Sequence, residues 1–123
     1  MPSSKITTPT ALAGTLVKIL ASSGDSHNNV TGNSSGKIYQ IQIDNSNNLD
    51  QNMYVKYVDS ASTTPGSTVA DMVFYVNKGK SCTYILDSGF TYSSGVSIWV
   101  STVPNTSNVS SPPGAVTVTL LAT

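Results

Sequence analysis

The chain has 123 residues, about one domain at the usual ~100–200 residues per domain, with six Asp and no Glu, six Lys and no Arg, and a formal net charge of zero. Charged residues make up only 10%, so no field steers an anionic polymer, and the missing Arg removes the bidentate phosphate fork; nucleic-acid binding is disfavoured. The missing Glu withdraws many acid/base pairs, and near-zero charge weakens colloidal repulsion, which suits a subunit held in an assembly better than a free monomer.

Ser (20), Thr (15), Asn (10) and Gly (9) dominate, while Val (13), Ile (7), Thr (15) and Tyr (6) outnumber Leu (7) and Ala (7), a balance that favours strands over helices. Residues 1–14, with Pro2, Pro9 and repeated Thr, read as an extended arm ahead of a single domain over 15–123. A polar terminus stays ordered only where something holds it, so this arm is expected to dock on a neighbouring subunit. Leu16 to Ala21 offers a first strand, and 22–36, almost all Ser, Gly, Asn and Asp, reads as a long loop.

Residues 37–44 place Tyr39, Ile41 and Ile43 on one side of a period-2 ribbon and Gln40 and Gln42 on the other. An Asn-rich stretch, 45–52, then suggests a hairpin into Met53–Asp59, where Met53, Val55 and Tyr57 alternate with Tyr54, Lys56 and Val58. Four more runs alternate alike: Met72, Phe74, Val76; Cys82, Tyr84, Leu86; Val96, Ile98, Val100; and Val116, Val118, Leu120. The breaks carry turn chemistry: Pro65-Gly66, Asn77-Lys78-Gly79, Ser88-Gly89, Ser93-Ser94-Gly95 and Pro112-Pro113-Gly114. Seven short antiparallel strands in about 100 residues predict an all-β sandwich, immunoglobulin-like or, as the alternative, a jelly roll. Some twenty buried apolar side chains at roughly 1.5–3 kcal/mol each would form its core.

No residue set reads as catalytic, cofactor-binding or metal-binding. His27, the one histidine, sits beside Asp25 and Ser26, but contiguous residues in a polar loop do not converge on a pocket as a triad must, so it is expected to be an exposed loop residue. Cys82, the one cysteine, alternates with Tyr84 and Leu86 and is expected to face the core as an inert thiol. The run Asp44 to Asp50 spaces oxygen side chains at alternate positions as a hard-cation loop does. It lacks the sixth-position glycine, and Val55 stands where a bidentate Glu would be needed, so an Asx-rich loop is expected. Four glycosylation sequons, at Asn29, Asn33, Asn105 and Asn108, follow from the abundance of Asn, Ser and Thr. Tyr54, Tyr75 and Trp99 fall on the strand face opposite the main core residues. That places aromatic rings outward as a contact surface, unless both faces of that sheet are buried. Lys78 and Lys80 flank Gly79 in a turn.

The first residues lack the basic and apolar segments of a secretory signal, and the longest apolar stretch near them, Ala11 to Leu20, is interrupted and too short for a bilayer. Synthesis in a cytosol and no membrane partner are the expectations.

Residues 37–121 resemble a group of small tailed-bacteriophage virion proteins, seen especially in phages of cyanobacteria and other aquatic bacteria. The matching pieces are Ile-Gln-Ile-Asp-Asn-Ser at 41–46, Tyr-Val-Lys-Tyr-Val-Asp at 54–59, Ala61-Ser62 and Asp71-Met72-Val73. Gly79-x-Ser81-x-Thr83-Tyr84, Phe90-Thr91-Tyr92-Ser93-Ser94-Gly95 and Ala115-Val116-Thr117-Val118-Thr119-Leu120-Leu121 complete the set. The resemblance implies a sandwich-type capsid decoration or cement protein, without catalytic residues, that binds the outside of the head shell. Its implied partners are the major capsid protein and copies of itself, with a trimer as one form. A tail, collar or fibre component, or a carbohydrate-binding module using Trp99 and the tyrosines, is the alternative.

Overall fold

The computed structural model describes residues 15–21, 26–106 and 110–123; the predicted arm over 1–14 lies outside them. The described residues contain seven strands and no helix: β1 (Thr15–Ala21), β2 (Gly36–Asp44), β3 (Met53–Val58), β4 (Met72–Val76), β5 (Ser81–Tyr92), β6 (Ser97–Ser101) and β7 (Val116–Ala122). They form two antiparallel sheets, a four-stranded one in the order β1-β7-β2-β5 and a three-stranded one in the order β4-β3-β6. The seven-stranded all-β sandwich is thus the one the alternating runs imply. Its last strand inserts between β1 and β2, whereas the immunoglobulin order keeps the last strand beside the sixth.

The core lies between the sheets and takes the residues the period-2 pattern selects, except that Tyr39 is not among them: β2 shifts register between Ile38 and Gln40 against both neighbours, so Ile38 is buried beside Ile41 and Ile43 and Tyr39 is only half-buried. Ile41 and Ile43 of β2, Val116, Val118 and Leu120 of β7, Val55 and Tyr57 of β3, and Ile98 and Val100 of β6 are all buried. Aromatic contacts join the sheets: the Tyr57 and Phe90 rings meet edge-on at 5.4 Å and Phe74 tilts against Tyr84 at 5.2 Å.

Three further expectations change. First, the Asn-rich stretch is not a hairpin: β2 and β3 belong to different sheets, so 45–52 is a corner that carries the chain across the sandwich. Its Asn side chains pair with backbone groups of other loops, which a two-strand turn would not require. Second, Ser88-Gly89 does not end a strand. Ile38 pairs with Phe90 but Gln40 with Ile85, so Leu86–Gly89 bulges against Tyr39, with Gly89 at φ 79° supplying the conformation the bulge needs. Third, 26–30 is no free loop. His27 exchanges both backbone hydrogen bonds with Ile98 (2.7 and 3.0 Å) and the Val30 N–H donates to the Val96 carbonyl oxygen at 2.8 Å, which lines the outer edge of β6.

Candidate interaction surfaces

The residues with possible chemistry are placed apart from one another. His27 is half-buried, not exposed, because its backbone is stitched to β6. Cys82 is half-buried against the core, its thiol 3.5 Å from the Tyr75 carbonyl oxygen, which also accepts from the Tyr84 hydroxyl. Among the described residues no group of three or more His, Cys, Asp or Glu is gathered as a metal would need.

Side-chain oxygens of Asp44, Asn45 and Asn48 are directed at the protein itself. Asp44 accepts from the Ser46 N–H at 3.0 Å and the Ser81 hydroxyl at 3.1 Å. Asn45, fully buried, donates to the carbonyl oxygens of Gln51 (2.9 Å) and Asn77 (3.2 Å), and its own oxygen accepts from Asn48 at 2.8 Å. An Asx-rich structural loop is what the residues build. Beside it a cavity of about 300 Å³ is lined by Asn47, Asn48, Leu49, Asp50, Gln51, Pro113 and Gly114, with no nucleophile and base in contact.

A second polar knot, at the end of β3, has no signal in the sequence. The Asp59 carboxylate accepts from the backbone N–H groups of Ser93 (3.0 Å), Ser94 (2.8 Å) and Gly95 (3.3 Å), fixing the β5–β6 turn. Removal from water pushes its pKa up, but these bonds outweigh that and hold the carboxyl below its ordinary value. The partners lie 34 to 36 positions further along the chain, so spacing alone cannot pair them.

The outer face of the three-stranded sheet divides the expected aromatic platform. Tyr75 (41% exposed) and the half-buried Tyr54 remain at the surface, their rings 5.4 Å apart and tilted by 56°. Trp99 is only 1% exposed and cannot serve as a stacking surface; it sits opposite Lys56, also 1% exposed. The chain beyond β6 returns across this face, and the Lys56 ammonium donates to the Asn105 carbonyl oxygen at 2.7 Å. Burial lowers the Lys56 pKa. The Trp99 Nε1–H finds no acceptor among the described residues.

The outer face of the four-stranded sheet is different. Register sets Leu16, Leu121, Gln40 and Ile85 in one row across β1, β7, β2 and β5, and the next row holds Lys18, Thr119, Gln42 and Thr83. Leu16 and Ile85, at the two ends of their row, are 66% and 65% exposed, and Leu20 on β1 is 62% exposed. Alternation sets Ile85 opposite Cys82, Tyr84 and Leu86, and only the register brings it into one row with Leu16. No protein-family model, curated protein or solved structure matches the chain.

Proposed function

We propose that this chain is a non-enzymatic structural protein of a phage virion, a capsid decoration or cement protein bound to the outer surface of the head shell and made in the host cytoplasm. The observation that carries the reading is the exposed apolar set Leu16, Leu20 and Ile85 on the outer face of a firmly packed sheet in a chain of zero net charge. Such a surface suits protein contact, and the resemblance of residues 37–121 to small virion proteins supplies the setting. A rigid sandwich bridging capsid subunits adds interface that must be lost before the shell bursts under its packaged DNA, and many copies multiply that gain. Its partners on this reading are the major capsid protein and further copies of itself.

The test adds purified protein to heads that lack it and follows co-sedimentation and heat release of DNA. Binding with a raised release temperature is expected; heads that neither bind it nor gain stability overturn the reading. A chain beginning at Thr15 tests the arm, and binding as tight as that of the full chain would remove 1–14 from the contact.

The Tyr54–Tyr75 pair, half-buried and exposed respectively, favours a second reading, a carbohydrate-binding module, since tilted tyrosines can cover a sugar ring. With Trp99 buried, that platform is confined to two rings, and glycan-array binding lost on Tyr75→Ala would support it.

A further inference from the structure

Of the sandwich's strand edges, that of β6 is occupied by 27–30, and β4 is an edge of only five residues with one acceptor, the Tyr75 carbonyl oxygen, taken by Tyr84 and Cys82. The four-stranded sheet ends in β1 on one side and β5 on the other, and among the described residues neither has a strand on its outer edge. Unpaired backbone rows of this kind recruit another strand unless a proline, a bulge or charge prevents it. β1 has no proline and no register shift along its seven pairs with β7, and its one charge is the exposed Lys18; Ser81–Ile85 of β5 carries no charge and is regular up to the bulge.

We infer that β1 of one copy pairs antiparallel with β5 of a second copy, head to tail, so that the sheet runs on from molecule to molecule. Four observations agree on this occupant. The strands alternate in direction across the sheet, so a copy set alongside in the same orientation brings β5 to β1 antiparallel. The shared rows then put Leu16 against Ile85, Lys18 against Thr83 and Leu20 against Ser81, while inward Val17 and Ile19 meet inward Tyr84 and Cys82. The two most exposed apolar groups of one row thereby cover each other. No like charges meet, whereas β1 pairing with β1 of the second copy about a two-fold at Lys18 would set lysine against lysine. Because the joined surfaces differ, the contact is heterologous and closes as a ring of copies where the rotation permits.

The inference rests on the reading above only in expecting self-association, and its test needs no head. Sedimentation velocity and native mass spectrometry of the full chain at micromolar to near-millimolar concentration should show a concentration-dependent oligomer. Leu16→Lys and Ile85→Glu, both at exposed positions, should each shift it to monomer by at least tenfold in concentration while keeping the wild-type melting temperature at dilutions where all three chains are monomeric. Mixing the two variants should restore assembly, since the introduced ammonium of one then faces the introduced carboxylate of the other and the second junction is wild type. A wild-type chain monomeric throughout overturns the inference. So does Ile85→Glu assembling as wild type, the signature of β1 pairing with itself, or a mixture that stays monomeric. Head binding by a chain that does not self-associate would leave the virion reading standing and remove only this edge.

Discussion

Asn48 holds Gly114 with both polar atoms of its side chain: Nδ2 donates to the Gly114 carbonyl oxygen at 3.1 Å and Oδ1 accepts its N–H at 2.6 Å. This joins the β2–β3 corner to the approach to β7, 66 positions away. Through Asn45 the same network reaches the turn after β4. Asn48→Ala leaves several of these groups without a partner, and at about 1–3 kcal/mol for each buried unsatisfied group a loss of about 2–4 kcal/mol is expected. Urea denaturation measures it, and a loss below about 0.5 kcal/mol would contradict the role given to this side chain.

The Asp59 clamp gives the fold an acid-sensitive joint. Its carboxyl lies below the ordinary value of 3.8, as does that of Asp44, held down first by the Ser46 hydroxyl and then by the Ser46 N–H. The unfolded chain therefore takes up these protons before the folded one does. The stabilisation is complete above the ordinary carboxylate range and is lost as pH falls through the lower folded values. The urea midpoint should fall between pH 6 and pH 2.5, and Asp59→Asn should reduce that fall; equal midpoints at the two pH values would contradict the clamp.

Lys56 separates the effect of its charge from that of its stem. The ammonium is buried with burial lowering its pKa, and its acceptor belongs to Asn105, an exposed residue whose carbonyl can return to water. Lys56→Met should therefore keep or raise the melting temperature. Lys56→Ala, which opens a gap beside Trp99, should cost about 2–3 kcal/mol, as large-to-small changes at buried sites do. Equal loss in the two variants would show that the charge itself stabilises the sheet.

Gly36 tests close approach at the start of β2. A Cβ there would collide with the Thr123 carbonyl oxygen and stand 2.8 Å from the Tyr92 hydroxyl, which itself donates a hydrogen bond to that oxygen at 2.6 Å. Gly36→Ala must displace Thr123 or Tyr92, and about 1–3 kcal/mol of destabilisation is expected from such overpacking. A variant as stable as wild type would mean that Thr123 or Tyr92 moves freely.

The strands were legible because period-2 alternation is a local property, and every run from Leu16–Ala21 to Val116–Leu120 became one. What depends on partners far along the chain was not. Nothing local tells that Asn45–Asn52 turns a corner between sheets, because its bonds go to Asn77 and Gly114. Ser88-Gly89 has the same composition whether it ends a strand or bulges within one, and only the offset against Ile38 and Gln40 decides. Trp99 and Lys56 alternate outward as the pattern requires, yet the return of the chain over that face buries them. The surfaces proposed for contact were hidden for the converse reason: Leu16 and Ile85 become one row only once β7 and β2 lie between them.

The most direct measurement of the central claim is the position and copy number of this chain in an intact virion, by cryo-electron microscopy with quantitative mass spectrometry of the particle. Many copies on the outer surface of the head, bridging capsid subunits, are the predicted result. Density confined to the tail, collar or fibres, or a purified particle without the chain, would contradict it.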